Sequence, residues 1–307
     1  MPVKTGLMTT EEAFGSSGAL LEKSIKQIGW ETTPFYSAIS LGAPIDRTSR
    51  AAMGHKWSYD ELPDGDLNNA HAEGGPKAAA KYYTGGSLTN HFQIVKNTYG
   101  VSGSQKPTTD TQGKDSLAKQ GEFSSVEHKK SIEKILLSGQ TAVQRVNGGG
   151  SPVVGKCGGL KSFSTTVNTI DATNTDLTMQ MIRNLFKIGW SKGRPYEFMM
   201  VNDKQNDRLL DILDKIKQAN MTEKYLESEV LAVRNTYGHV KVLLNPFLDQ
   251  NEIIAFRSDD IFKVNWRPME VNELPTSNDA VEKEVLSEFT LRVCTPVAFA
   301  WLKNLKV

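Results

Sequence analysis

The alternation of apolar and polar positions is most informative between residues 51 and 104. Residues 54–62 alternate loosely, as an extended strand does, and residues 88–101 form its returning partner. A polar tip rich in glycine and alanine, residues 63–86, lies between them. An isolated two-stranded hairpin is only marginally stable in water, so an arm of this length needs another surface to lie on. A neighbouring copy of the chain is the simplest candidate, which favours an assembly subunit over a self-contained enzyme.

The strongest helical pattern runs from residue 116 to residue 138. Asp115 is suited to cap its N-terminus, and Gly139 is suited to end it. Apolar positions are sparse, and the middle of the segment, residues 124–131, is polar nearly all round. Such a helix either bridges other parts as an exposed element or is a solvated helix stabilised by charge pairs. The pattern does not decide between these two alternatives.

Residues 1–50 predict an arm with little core of its own. Thr10-Glu11-Glu12 is suited to begin a helix that continues to Ile28, and Pro34 then stops regular structure. An arm of this kind packs across a partner more readily than it folds alone.

After a glycine-dense hinge at residues 148–159, the composition becomes that of a compact α/β module. Two amphipathic helices, several buried strands and two long extended segments follow one another. In chain order they are a helix around 177–186, a strand at 197–201, a helix around 209–216, two strands within 230–244 that turn at 235–238, a strand at 253–256, and the extended segments 261–274 and 281–302.

Length and charge narrow the class of protein. A chain of 307 residues is long enough for one large domain or two, and no apolar run is long enough to span a membrane. The N-terminus, residues 1–5, lacks the regions of a secretory signal. The balance of 36 basic and 35 acidic residues argues against tight, sequence-independent nucleic-acid binding, although a container for DNA can be neutral. Cys157 and Cys294 fit a reducing compartment without disulfides.

One glycine-rich segment is close to a known nucleotide-binding motif. Residues 150–157 match the phosphate-binding loop, except that Cys157 replaces the Ser or Thr whose hydroxyl ligates magnesium. Pro152 also removes a backbone N–H from the cradle, and the flanking residues do not form the required strand and helix. The sequence therefore favours a flexible hinge over a nucleotide site.

Other candidate chemistry is weaker still. The acidic pairs Glu282 with Glu284 and Asp259 with Asp260 are interpreted as solvated faces. Five histidines show no metal-ligand spacing, namely His55, His71, His91, His128 and His239. His55 and His91 can lie near each other across the hairpin, and a hydrogen-bonded surface role is expected for these two. No catalytic, cofactor-binding or metal-binding residue is assigned, no cofactor is expected, and the chain is not expected to be an enzyme.

The order of arm, long hairpin, long polar helix, α/β module and returning strands resembles the Hong Kong 97-type fold of tailed-bacteriophage major capsid proteins. Individual stretches are similar to the phage SU-ten-type major head protein family. They are residues 90–94 followed by 101–104, residues 128–140 followed by 158–160, residues 242–248, and residues 284–302.

The resemblance implies an α+β capsid fold with an N-arm at 1–50, an extended β-hairpin loop at 51–104, a peripheral domain with a long spine helix at 105–149, an axial α/β domain at 150–258, and peripheral return strands at 259–307. It implies a structural major capsid protein that self-assembles into hexamers and pentamers of an icosahedral head. That head would enclose double-stranded DNA without sequence specificity. The expected location is the virion, with assembly in the host cytoplasm.

The implied partners are copies of the chain itself and portal, scaffold and decoration or cement proteins, with no membrane. A separate scaffold protein or none remains open. Some members of the family cross-link a lysine to an asparagine. Lys77 or Lys81 and Asn272 or Asn278 are in the corresponding loops, and ordinary surface roles are expected for them. The alternatives are an encapsulin-like nanocompartment shell and a soluble α/β enzyme with an unrecognised site.

Overall fold

The computed structural model describes residue 29 and residues 32–42, 54–78, 80–82, 84–109, 115–146, 152–220, 232–235, 237–275 and 279–307. The predicted helix of the arm, residues 10–28, lies outside this part of the chain. The helices are α1 (Pro34–Ala38), α2 (Ser116–Leu137), α3 (Met179–Ser191) and α4 (Asp203–Asn220). The strands are β1 (Ser40–Leu41), β2 (His55–Tyr59), β3 (Gly86–Asn90), β4 (Gln93–Ser102), β5 (Thr169–Thr175), β6 (Phe198–Val201), β7 (Ala232–Asn235), β8 (Gly238–Leu244), β9 (Ile253–Phe256), β10 (Ile261–Leu274), β11 (Ala280–Val293) and β12 (Phe299–Leu305).

A four-stranded sheet has the order β1-β10-β11-β4. β1 runs parallel to β10, and the other pairs are antiparallel. β11 is an inner strand of this sheet, and both of its faces are buried along residues 284–291. Val285, Phe289 and Leu291 lie on one face, while Glu288 and Thr290 lie on the other.

A six-stranded sheet has the order β5-β12-β9-β6-β8-β7. β5 and β12 are parallel, as are β6 and β8, and the remaining pairs are antiparallel. β6 and β9 consist almost entirely of buried apolar residues, as expected for strands covered on both faces. These elements confirm the predicted α/β module, including the turn at 235–238, where Asn235 pairs with Gly238.

α2 begins as predicted, because the side chain of Asp115 accepts a hydrogen bond from the backbone N–H of Leu117. Its inner side is not exposed, since His128, Glu133 and Leu136 are fully buried against the four-stranded sheet and its surroundings. Both predicted alternatives, an exposed bridge and a solvated helix, are therefore wrong for this side. His128 and Glu133 are tolerated in the core because both have hydrogen-bond partners, whereas the buried Ser124 hydroxyl has none among the described residues.

The predicted hairpin differs from the structure in its return. β2 pairs with β3 alone, whereas β4 pairs with β11 and belongs to the four-stranded sheet. Residues 88–101 are therefore two strands in two sheets. The predicted segment 281–302 is divided in the same way, since β11 and β12 lie in different sheets. The division of the chain into arm, loop and domains stays a prediction. The four-stranded sheet combines strands of the predicted arm, loop and return segments, and β12 of the return segment lies in the six-stranded sheet.

Part of the predicted hinge is tightly packed. Gly158 and Gly159 are buried, and a Cβ on Gly159 would meet the carbonyl oxygens of Ser138 and Ile135 at the end of α2. These two glycines allow a close approach of two backbones rather than free movement. Gly155 is also buried, and a Cβ there would lie 2.8 Å from the Phe92 carbonyl oxygen. Residues 148–150 of the hinge lie outside the described residues.

Candidate assembly surfaces

The tip of the extended loop, residues 60–85, joins β2 to β3 and contains no strand among its described residues. Three large side chains are almost fully exposed there, with Leu62 at 93%, Leu67 at 98% and Tyr82 at 88%. An isolated exposed leucine is ordinary, but large apolar side chains that are exposed together mark an interaction surface. The tip is therefore a candidate surface for contact with a partner.

The root of the loop is anchored in its own subunit. The Trp57 side chain is buried, and its Nε1–H donates to the Val293 carbonyl oxygen at 2.8 Å. The Asn90 amide donates to the carbonyl oxygens of Leu291 at 2.7 Å and Gly158 at 3.0 Å. The expectation that the hairpin has no core of its own is wrong for this root.

The end of the arm docks onto a buried carboxylate. The Glu133 carboxylate accepts hydrogen bonds from the backbone N–H groups of Phe35 at 2.9 Å and Tyr36 at 2.7 Å, and from the Asn245 amide at 2.7 Å. Burial raises the pKa of Glu133, and these three hydrogen bonds oppose that shift. A helix as short as α1 is not stable alone, so the contact with Glu133 helps to order it.

A buried cation lies beside the same arm segment. Lys263 is 2% exposed, and its Nζ lies 4.6 Å from the ring centroid of Tyr36 and 5.1 Å from that of Phe289. Burial lowers the pKa of Lys263 to about 8. Among the ion pairs of the described residues, none includes Lys263.

Several acidic side chains are buried in ion pairs. Asp260 contacts Arg194 at 2.6 Å, and Glu284 contacts Lys96 at 3.1 Å. The prediction of solvated faces is wrong for these two acids, which are 3% and 8% exposed. Their partners lie far away in sequence, so a local pattern contains no signal for the pairing.

The phosphate-loop near-motif forms no phosphate cradle in its described part. Cys157 is fully buried, its Sγ accepts from the Leu291 N–H at 3.3 Å, and burial raises the pKa of the thiol to about 11. Val153 and Lys156 pair with Val146 and Val143 in a two-stranded ribbon. Residues 147–151 lie outside the described residues.

The histidines occupy different environments. The surface role expected for His55 and His91 is wrong for one ring nitrogen of each, because Nε2 of His55 and Nδ1 of His91 are buried and have no hydrogen-bond partner among the described residues. His71 is exposed and lies 3.0 Å from the Asn69 side chain. His128 is fully buried between Asn97 at 2.8 Å and Ser287 at 2.7 Å. Within the described chain, no three His, Cys, Asp or Glu residues are grouped to hold a metal ion.

The lysines of the predicted cross-link are surface residues of the loop tip. Lys77 is exposed, and Lys81 lies 3.5 Å from Asp66. Asn272 is exposed on β10, and Asn278 lies outside the described residues. In the described part of the chain, the helices are too short or too polar to cross a lipid bilayer.

Comparisons with known proteins agree with this architecture. The family model of the SU10 major capsid protein matches residues 7–306. Among curated proteins, none matches the chain.

Solved structures share the fold at low sequence identity. The capsid of a native GTA particle superimposes with a TM-score of 0.67 at 13% identity, covering 98% of this chain and 100% of that one. The capsid of cyanophage A-1(L) gives 0.64 at 12% identity, covering 97% and 98%. The SrpI encapsulin of Synechococcus elongatus PCC 7942 gives 0.64 at 11% identity, covering 95% and 94%.

The structural likeness establishes the α+β, Hong Kong 97-type fold, and the family match extends over nearly the whole chain. The protein is structural and not an enzyme, and it forms an icosahedral virion shell from copies of itself. The chain belongs to the SU10 major capsid protein family.

Proposed function

We propose that copies of this chain form the hexamers and pentamers of a tailed-phage head that encloses double-stranded DNA without sequence specificity. The exposed loop tip is the observation that supports this arrangement. The described residues of their own subunit leave Leu62, Leu67 and Tyr82 almost uncovered, whereas Trp57 anchors the root of the same loop. A loop anchored at one end and uncovered at the other is suited to lie across a neighbouring subunit.

The parts of the subunit have distinct roles in this proposal. The arm is residues 1–50 and the extended loop residues 51–104. The peripheral domain consists of residues 105–149 with spine helix α2, and of the return strands in 259–307. The axial domain, residues 150–258, packs around the centres of the hexamers and pentamers. β12 is an exception within the return segment, since it completes the six-stranded sheet that also contains β6 and β9.

Other partners follow from the role of a phage head. The head carries a portal, and its assembly in the host cytoplasm uses a scaffold protein or proceeds without one. Decoration or cement proteins bind the finished shell. The neutral balance of 36 basic and 35 acidic residues is compatible with enclosing DNA without condensing onto it.

The first test is electron microscopy of the purified chain, with its mass in solution measured in parallel. A variant that lacks residues 62–84, closed by a short glycine-serine turn, provides the comparison. We expect closed shells or capsomer rings from the wild-type chain. The deletion variant should keep the melting temperature of the free subunit and fail to form shells, because the removed side chains contact no core of their own.

A wild-type chain that stays monomeric at high concentration, both alone and in extracts of phage-producing cells, contradicts the proposal. If the deletion variant formed normal shells, the proposed shell function would stand, but the proposed role of the loop tip would be refuted.

A nanocompartment shell is the second candidate, because the SrpI encapsulin shares the fold over 95% of this chain. The family match to a major capsid protein favours the phage head. Particles purified from phage-producing cells separate the two functions. A phage head contains nuclease-protected DNA, whereas a nanocompartment contains a protein cargo.

A further inference from the structure

Helix α3 presents a basic stripe to solvent. Its residues Ile182, Leu185 and Phe186 are buried against the six-stranded sheet. On the opposite side, Arg183, Lys187 and Trp190 are exposed at spacings of four and three, which places them along one face of the helix. Lys192 follows directly at the end of the helix and is also exposed. We call Arg183, Lys187, Trp190 and Lys192 the basic face.

The charge of this face is not compensated within the described subunit. α3 contains no acidic residue, and no ion pair of the described chain includes Arg183, Lys187 or Lys192. Trp190 is 57% exposed, and its ring centroid lies 5.7 Å from that of Tyr237. Exposed Trp, Tyr and Arg side chains are the types enriched at protein–protein interfaces.

A matching segment lies at the beginning of the loop tip. Residues 60–67, which we call the acidic segment, follow directly after β2. Asp60, Glu61 and Asp64 are exposed, and among the described residues no ion pair includes them, whereas Asp66 is paired with Lys81. Leu62 lies among these carboxylates and is 93% exposed. Three carboxylates and one large apolar side chain thus complement three cations and one exposed tryptophan.

We propose that the acidic segment of one copy docks on the basic face of a neighbouring copy, with Leu62 against Trp190. This rests on the proposed function, in which the loop crosses a neighbour. The near-complete exposure of Leu62 shows that the segment does not reach the α3 of its own subunit. At about 3.3 Å per residue, Leu62 lies at most about 10 Å and Asp64 at most about 16 Å beyond the end of β2, so the proposed contact lies close to the root of the loop.

The physical basis is a desolvated apolar contact surrounded by charge pairs. Exposed ion pairs contribute little individually, so Leu62 and Trp190 supply the central contact. The three charge pairs set the register of the segment and disfavour wrong partners. A carboxylate-bearing peptide is favoured over DNA as the occupant, because the basic face has only three cations and the chain has no large excess of basic residues.

Reciprocal charge reversal tests the docking. One variant carries Arg183→Glu, Lys187→Glu and Lys192→Glu. The second carries Asp60→Lys, Glu61→Lys and Asp64→Lys, and the third combines all six changes. Two controls reverse exposed charges outside both surfaces, Glu73→Lys in the same loop and Lys129→Glu on α2. The fraction of chain in shells is measured by sedimentation and microscopy, together with the melting temperature of each free subunit.

We expect each triple reversal to lower the assembled fraction at least about tenfold, because like charges then face each other. In the variant with all six reversals, the assembled fraction should recover to within about twofold of wild type, because every charge pair is restored with opposite sign. Adding Trp190→Ala to this variant should abolish the recovery, since charge alone cannot replace the apolar contact. The two controls should assemble as the wild type does.

The proposal is overturned if either triple variant assembles as the wild type does. It is also overturned if the variant with all six reversals fails to assemble although its free subunit melts at the wild-type temperature. Normal shells of the α3 variant that package less DNA would instead assign the basic face to nucleic acid. If the wild-type chain forms no shells, that result contradicts the proposed function and not the docking. Docking is then tested by mixing the two triple variants, whose reversed surfaces carry opposite charges. If the mixture sediments as the sum of its components, the docking proposal is overturned.

Discussion

At the scale of single residues, buried polar groups join parts of the subunit that are distant in sequence. Glu133 of α2 joins the end of the arm to Asn245, and His128 joins Asn97 of β4 to Ser287 of β11. Burial lowers the pKa of His128, so its neutral form is favoured between these two partners. Because a buried polar group is costly without its partner, each of these contacts selects one arrangement of the elements it connects.

Replacing Glu133 by Gln should lower the free energy of unfolding by about 1–3 kcal/mol. Both carboxylate oxygens accept hydrogen bonds, Oε1 from Phe35 and Asn245 and Oε2 from Tyr36. The amide nitrogen of Gln would face one of these donors. Denaturant unfolding measures the loss, and Glu127→Gln, at an exposed position of α2, is the matched control. An equal loss in both variants would show that the contact is unimportant.

Lys263 should make stability depend on pH in a defined window. Its pKa is lowered to about 8 in the folded subunit, whereas the unfolded chain keeps the ordinary value of 10.5. Between these values the unfolded chain binds more protons, so the free energy of unfolding rises with pH. We expect Lys263 to contribute a rise on the order of 2 kcal/mol from pH 8 to 10.5, measured as the difference between wild type and the Lys263→Met variant. The difference is needed because the raised pKa of the buried Cys157 thiol acts in the opposite direction above pH 9.

The variant Lys263→Met should lack this rise and should be more stable than wild type at pH 7, because no charge is buried without a carboxylate. Denaturant unfolding across the pH range measures both effects. Lys241→Met, at an exposed lysine 5.8 Å from the Phe198 ring, should keep the wild-type profile. A profile for Lys263→Met that parallels wild type would contradict the assignment.

At the scale of elements, local patterns were sufficient for most helices and strands but not for their partners. α2, β6 and β9 follow from capping and periodicity, which are properties of neighbouring residues. The break between β3 and β4 does not, because residues 91 and 92 contain no turn signal and the two strands are separated by their different partners. The burial of Glu133 and His128 was missed for the same reason, since their partners are remote in sequence.

Gly159→Ala should destabilise the subunit by about 1–3 kcal/mol, because the added methyl group would overlap the last turn of α2. Gly139→Ala is the control, since its Cβ would have only the Lys161 Cβ nearby, at 3.9 Å. Thermal unfolding of both variants measures the difference. Equal melting temperatures would indicate that the backbone around Gly159 can move to accommodate the methyl group, as expected for a flexible hinge.

Trp57→Ala should loosen the root of the loop and lower the free energy of unfolding by about 3–5 kcal/mol. The change removes a buried ring and its hydrogen bond to Val293. Hydrogen exchange resolves the effect by element. Amides of β2 and β3 should exchange faster relative to wild type than those of β4, which pairs with β11. Equal acceleration in all three strands would mean that the root is not a separate unit.

At the scale of the whole molecule, the two sheets are built from interleaved segments of the chain. β4 and β11 form the four-stranded sheet with β10, whereas β12 returns to the six-stranded sheet. Leu62, Leu67 and Tyr82 of the loop tip are the three most exposed large apolar side chains of the described residues. Burial of that tip is therefore expected to distinguish the assembled subunit from the free one.

Trypsin should cut the free subunit first after Lys77 and Lys81, which lie in the exposed tip. In assembled shells the same bonds should be protected by at least about tenfold, because cleavage requires an accessible and extended backbone. Mass spectrometry of timed digests measures both rates. Cleavage at equal rates in shells and free subunits would contradict coverage of the tip by a neighbour.

The position of β12 has a consequence for biosynthesis. β5 pairs only with β12, and β12 also pairs with β9, so the six-stranded sheet is open until residues 299–305 are available. All the other described strands leave the ribosome before β12 does. A chain interrupted by a premature stop codon would leave β5 and one side of β9 unpaired, a state that proteases recognise. Chains that stop before β12 are therefore expected to be absent from finished shells.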